Sequence, residues 1–242
     1  MGTLDFVFQS KGGVGKSLVA LFLFQYFQKK DLPVIGVDTD PMNTTFGDYR
    51  QLGIIKLNIM DGDEIDGRLF DNVVESAMQL SSQEHLVVDN GASNFIKLFG
   101  YLKKSNAFGL IQEAGHTVRI HSIITGGDTA EPTFLRVRDL CVEFPEIPLV
   151  IWKNPYFGPV VLVKTTFEET ALYKDFSNRF HAIIEIPRFE RDTFGKDLTQ
   201  ILTDRLSFEE GSTTERYGVM SRHRLGIMWK NIQKAMDVAH LL

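Results

Sequence analysis

The feature that most narrows what this chain can fold into lies at its start. An apolar run over residues 4–9 reads as a strand, and residues 16–30 carry a helical period, with Val19, Leu21, Phe22, Leu23 and Tyr26 among its apolar positions. Between them stands Ser10-Lys11-Gly12-Gly13-Val14-Gly15-Lys16-Ser17. Strand, glycine-rich turn and helix together present a row of backbone N–H groups and a positive helix end to one point, where a phosphate chain binds. Glycines let the backbone curl close around phosphates that a Cβ would obstruct. Lys16 is then placed to reach the β- and γ-phosphates, and Ser17 supplies the hydroxyl oxygen that Mg²⁺ accepts beside phosphate oxygens and water. Gly12, Gly13, Val14, Gly15, Lys16, Ser17 and Leu18 are the candidate nucleotide-binding residues. A helix-capping turn alone would not require a Gly-Lys-Ser ending between a strand and a helix.

The rest of the chain fits an α/β fold: a doubly wound, mostly parallel sheet flanked by helices. Further strands are expected at 34–38, 85–89, 118–125, 149–153 and 182–186, several apolar throughout, as strands covered on both faces are. Further helices are expected at about 69–80, 94–104, 130–144, 168–179, 193–205 and 216–242. With 242 residues and 43% hydrophobic content the chain can bury a full core, and residues 1–242 are expected to form one domain with a C-terminal helix from about 216. A net charge of -5 gives no global attraction to nucleic acid or anionic lipid. One cysteine, Cys141, forms no internal disulfide, and the N-terminus lacks a secretion pattern, so the expected location is the cytoplasm.

Three aspartates end strands. Asp38 and Asp40, in Val37-Asp38-Thr39-Asp40-Pro41, lie at a C-terminal strand edge, where open parallel sheets bind ligands, within reach of magnesium and an attacking water. Asp89 closes Leu86-Val87-Val88 in the form of a carboxylate that holds Mg²⁺ through water. The candidate metal residues are Ser17, Asp38 and Asp89. An acidic group of Asp61, Asp63, Glu64 and Asp66 lacks calcium-loop spacing and reads as a solvated or partner-facing loop. His116 and His121 have no zinc-like partners in sequence, and no ligand role is expected for them.

The phosphate loop departs from the ordinary pattern, which places glycine where Ser10 stands. Lys11-Gly12-Gly13-Val14-Gly15-Lys16-Ser17 instead resembles the deviant Walker A motif KGGxGK[ST] of the ParA/MinD superfamily. That resemblance implies ATP as the nucleotide, bound with Mg²⁺, and a homodimer with two ATP molecules at its interface. Lys11 would reach into the partner subunit's site. Asp38-Thr39-Asp40-Pro41 is similar to the superfamily's first switch, which implies that Asp40 positions the hydrolytic water and Asp38 meets the metal shell or a loop lysine. Lys11, Lys16 and Asp40 are thus the candidate catalytic residues. Asn43 stands one residue off the family's usual asparagine, and Asn90-Gly91-Ala92-Ser93 lacks the proline of the second switch. Asn154, after Trp152-Lys153, and Pro187, in Ile186-Pro187-Arg188, resemble the adenine-reading segments; the residues themselves leave guanine open.

Several further strings resemble the TraL-type conjugal transfer proteins and StbB-like plasmid stability ATPases: VDTDPMNTTF (37–46), LNIMDGDEI (57–65), VVDNGAS (87–93), TGG (125–127), WKNPYFGP (152–159) and LSFEEG (206–211). This implies a weak ATPase that supports plasmid transfer or stability through a plasmid-encoded protein partner. The alternatives are an ATP-binding anchoring module without turnover, or a small-molecule phosphotransferase or ligase on the same fold. The last helix has apolar residues at Leu225, Met228, Trp229, Ile232, Ala235, Met236 and Ala239, with Arg222, Arg224, Lys230 and Lys234 around it. Packing on the sheet is the expected use of its stripe; contact with membrane, as in MinD relatives, or with DNA at the nucleoid is the alternative.

Overall fold

The computed structural model describes residues 1–242 apart from Pro41, Met42, Gly62, Asp63, Ser93 and Asn94. Its strands are β1 (Thr3–Val7), β2 (Val34–Asp38), β3 (Ile55–Lys56), β4 (Met60–Asp61), β5 (Glu64–Ile65), β6 (His85–Asp89), β7 (Thr117–Thr125), β8 (Leu149–Asn154), β9 (Val161–Leu162), β10 (Thr165–Thr166) and β11 (Phe180–Glu185). Seven form one sheet in the order β11-β8-β7-β1-β6-β2-β3, and every pairing in it is parallel. The remaining four make two short antiparallel ribbons, β4 with β5 and β9 with β10.

The helices are α1 (Lys16–Lys29), α2 (Gly67–Met78), α3 (Phe95–Lys104), α4 (Ala107–Glu113), α5 (Ala130–Glu143), α6 (Ala171–Asp175), α7 (Lys196–Thr203), α8 (Phe208–Thr213) and α9 (Val219–Val238). Alternation along the strands divides the core in two. Leu4, Phe6 and Phe8 face the layer of α2 to α5, while Val7 faces α1, α8 and α9. Residues Val19–Phe27 of α1 are all buried, because sheet and helices enclose the helix from both sides.

All six expected sheet strands are present; the seventh, β3, spans two residues, too short for a periodicity to show. The helix expected at 168–179 is broken. Thr170 is extended (ψ 155°), and its hydroxyl caps α6 by accepting from the Tyr173 N–H, so the chain restarts there. Arg179 then turns inward, buried, and donates to the carbonyls of Cys141, Phe144 and Ile147, which caps the end of α5. The helix expected at 193–205 begins as a π-turn over Arg191–Gly195 before α7. In the acidic segment, Asp66 caps α2 by accepting from the Arg68 N–H (2.9 Å); Asp63 lies outside the described residues.

The stripe of α9 is core. Leu225, Met228, Ile232 and Met236 are buried, Trp229 stacks on Phe208 (5.1 Å, 10°), and Asp237 accepts from the Tyr26 hydroxyl and pairs with Lys30. These apolar residues are therefore occupied inside the protein and are not presented to membrane or DNA. No helix among the described residues is long and apolar enough to cross a membrane.

Beneath α1 and α9, the same sheet face buries a charged network around Asp5 of the central strand. Its Oδ1 accepts from Arg119 Nε (2.8 Å) and lies 2.9 Å from His121 Nε2, and its Oδ2 lies 2.8 Å from His85 Nδ1. His121 Nδ1 accepts the Trp152 indole N–H (3.0 Å), which fixes its proton on Nε2. Arg119 Nη1 donates to the Leu241 carbonyl (2.6 Å) and so ties the residues after α9 to β7.

Candidate nucleotide site

Parallel register assembles the site. Val7, the last residue of β1, pairs with Asp89, and Asp89 pairs with Asp38, so the phosphate loop leaves the sheet beside two carboxylates on adjacent strands. The loop then turns through Gly13 (φ 72°) and Gly15 (φ 104°), left-handed conformations that a side chain would strain. Val14 is buried, which anchors the loop, whereas Lys11, Gly12 and Gly13 are exposed. Ser17 and Leu18 lie half-buried in the first turn of α1.

Lys16 is buried beneath this loop, and its Nζ donates to the Lys11 carbonyl (3.3 Å). Burial lowers its pKa; the charges of Asp89 and Asp40 act in the opposite direction. Asp89 is wholly buried, and neither carboxylate oxygen has a hydrogen-bond partner among the described residues. Burial pushes its pKa up to about 7, against the nearby Ser17 hydroxyl and Lys16 and with help from Asp38 and Asp40. A buried carboxylate with no well-formed hydrogen bond, beside a helix-start hydroxyl that favours its charged form, is a fit for a hydrated divalent cation, whose charge would offset the cost of burial.

Asp38 is differently placed. Its Oδ1 accepts from the Asp40 N–H (2.9 Å) and its Oδ2 from the Gly47 N–H (2.7 Å), so it closes the loop between them. Burial nevertheless raises its pKa. Asp40, carried by that loop, accepts from the Asn43 N–H (3.1 Å) and lies against Gly91: a Cβ there would stand 2.7 Å from Asp40 Cγ. Gly91 therefore makes room for a carboxylate. The two loops are joined a second time where Thr39 donates its N–H (2.9 Å) and hydroxyl (3.0 Å) to the Asp89 carbonyl. Pro41 and Ser93, which belong to these segments in sequence, lie outside the described residues.

Asn154, buried at the end of β8, meets the phosphate loop from behind. Its Nδ2 donates to the Val14 carbonyl (2.9 Å), and its Oδ1 accepts from the Tyr156 N–H (3.1 Å). Both ends of the amide are thus bonded to the protein, and Gly15 packs close to Nδ2. Pro187 is half-buried in the loop after β11, whose Ile186 N–H donates to the Lys153 carbonyl (2.9 Å). Lys11, Lys16, Ser17, Asp38, Asp40 and Asp89 meet at one edge, with Asn154 bracing the loop and Pro187 in the loop after β11. Two contributors carry no sequence signal: Gln9, whose Nε2 donates to the Ile123 carbonyl (2.9 Å), and Arg136, whose Nε donates to Ser10 Oγ (2.9 Å).

Known proteins share this architecture. Residues 6–239 match the model of the CobQ/CobB/MinD/ParA nucleotide binding domain. The chain is 38% identical to Protein TraL of Escherichia coli over 243 residues, covering 100% of both. Among solved structures, the MinD cell division protein of Aquifex aeolicus superposes with a TM-score of 0.53 at 13% identity, over 98% of this chain and 96% of that one. The septum site-determining protein MinD of Pyrococcus horikoshii, complexed with Mg-ADP, gives 0.50 at 12% identity over 100% of both chains. Matched along nearly its whole length by the family model and over its full length by a relative, the chain belongs to the CobQ/CobB/MinD/ParA family of nucleotide-binding domains.

Proposed function

We propose that this chain is a Mg²⁺-dependent ATP-binding switch that dimerises around ATP, hydrolyses it slowly, and supports plasmid transfer or stability through a plasmid-encoded protein partner in the cytoplasm. The observation that carries this reading is the buried carboxylate of Asp89, with no well-formed hydrogen bond, beside Lys16 and Ser17, under a loop shaped by two left-handed glycines. Lys16 and the loop N–H groups of Gly12 to Leu18 hold the phosphates. Ser17 and Asp89 hold the ion, which when bound neutralises charge on the phosphates and on Asp89. Asp38 braces the loop on which Asp40 sits and completes the acidic surroundings of the ion. Asp40, seated against Gly91, orients the attacking water, and exposed Lys11 reaches the partner subunit's nucleotide.

Asn154 and Pro187 flank the base end of the site, with Asn154 setting the height of the loop through Val14. The Mg-ADP complex of the structurally similar MinD supports magnesium and an adenine nucleotide, and full-length similarity to Protein TraL supports the plasmid setting. The test is nucleotide binding beside phosphate release. Lys16→Ala is expected to abolish both, whereas Asp40→Ala keeps ATP binding and loses turnover by about 100-fold, the scale of a lost proton-transfer or water-positioning group. Phosphate release by the wild type no faster than by Lys16→Ala, with plasmid-encoded partners present, would leave an anchoring module in place of a switch.

A further inference from the structure

The position where the ordinary phosphate loop has glycine holds Ser10, and the structure gives that serine a partner. Arg136, on α5, donates from Nε to Ser10 Oγ (2.9 Å) and from Nη1 to Asp139 (2.7 Å). Its guanidinium lies over the ring of Phe95, 4.6 Å from the centroid. Phe95 is the first residue of α3, the helix that follows the Asp89–Ala92 segment, and it stacks on Phe8 at the foot of the phosphate loop (4.3 Å, 26°). One guanidinium therefore touches both the entrance of the phosphate loop and the first turn of α3. On the other side of Ser10, the Lys11 N–H donates to Gln9 Oε1 (3.4 Å), and Gln9 is anchored to β7. The backbone that carries exposed Lys11 is held from both sides.

We propose that Arg136 is a positioning residue that locks the entrance of the phosphate loop to the first turn of α3, so that Lys11 and the Asp89–Ala92 segment move as one unit when nucleotide binds. The inference rests on the reading of Lys11 as a contact across an ATP-dependent dimer. A planar guanidinium suits the task, since it can donate in its plane to Ser10 and Asp139 while its face covers an aromatic ring. Neither Arg136 nor Ser10 touches the nucleotide in this account, so their loss acts on dimerisation and leaves the affinity of one subunit for ADP in place.

The experiment measures ADP affinity and the midpoint concentration of ATP-dependent dimerisation for the wild type, Ser10→Ala, Arg136→Ala, the double variant and Lys11→Ala, with thermal unfolding of each. The expected result is that each single variant weakens dimerisation by about fivefold, the scale of one coupled contact, and that the double variant is no worse. ADP affinity stays within about twofold, because the loop itself is intact. Arg136→Lys, which lacks the planar fork, recovers dimerisation only in part. Losses that add in the double variant, or an equal loss of ADP affinity, would assign Arg136 a purely structural role. A wild type that dimerises and depends on Lys11, while Arg136→Ala behaves identically to it, would overturn this inference alone. A wild type whose mass ATP does not change would overturn the dimer reading and this inference with it.

Discussion

Asp5→Ala is expected to cost this protein about 3–5 kcal/mol at pH 7, the penalty for removing one partner of a buried ion pair and stranding the other. Arg119, which is 6% exposed, would keep the Leu241 carbonyl as a partner but lose its counter-charge, and His85 and His121 would lose the acceptor each now meets. Against a typical total of about 5–15 kcal/mol, such a loss brings the fold near its threshold. The pH dependence has a definite sign. Burial pushes the Asp5 carboxyl up, but Arg119, His121 and His85 together hold it well below its ordinary value of 3.8. A carboxylate depressed in the folded state contributes stability that is complete above the unfolded value and is lost as pH falls through the folded one. The gap between wild type and Asp5→Ala in denaturant midpoint should therefore be widest near pH 7 and close on acidification below 3.8. A variant within about 1 kcal/mol of wild type at pH 7 would mean that the network is not a coupled pair of the kind described.

Asp89→Asn is expected to do the reverse. Asp89 titrates near 7 in the ligand-free fold against an ordinary 3.8, so the folded state holds the proton more tightly than the unfolded chain does. Stability from this group falls as pH rises between those values, and the full cost above pH 7 is about 4 kcal/mol. Asparagine removes that charge but buries an amide without partners, which returns about 1–3 kcal/mol of cost. The net gain at pH 8 is about 2 kcal/mol, or about 5 °C in thermal midpoint for a chain of this size. The gain should reach zero between about pH 5 and 6 and reverse near pH 4, where the wild-type carboxyl is largely protonated and only the cost of the buried amide is left, about 1–2 kcal/mol, and Mg²⁺ should no longer strengthen nucleotide binding. A site that trades stability for function behaves in this way. Loss of stability at pH 8 in the ligand-free variant would contradict the buried, charged state assigned to Asp89.

The strand edges were legible because apolar runs ending in aspartate state both a buried strand and its carboxyl end, and parallel register then places Asp38 and Asp89 side by side. The phosphate loop was legible for the same reason, since its chemistry is local. Long-range partners were not. Nothing in residues 152–155 shows that Asn154 turns back to the Val14 carbonyl, 140 positions away, nor does α5 show that Arg136 reaches Ser10. Asp5 and His121 read as ordinary polar positions in strands, because a buried network is defined by what lies across the sheet. One missed element did have a signal: Ser207-Phe208-Glu209-Glu210 is a capping box, with the Ser207 hydroxyl accepting from the Glu210 N–H (3.1 Å) and Glu210 accepting from the Ser207 N–H (2.8 Å), and it starts α8. The Asp38 contacts also sharpen its role, since both oxygens already serve backbone N–H groups of the loop that presents Asp40.

The central claim is a site shared between two subunits, and its most direct test is the mass of the protein in solution by light scattering with Mg-ATP, with Mg-ADP and without nucleotide. The proposed ATP dimer predicts a monomer without nucleotide and with ADP, a dimer with ATP, and no ATP-dependent rise for Lys11→Ala, whose own ATP binding is retained under the proposed role of Lys11 in the partner's site. An ATP-saturated wild type that remains at the mass of one chain would contradict it.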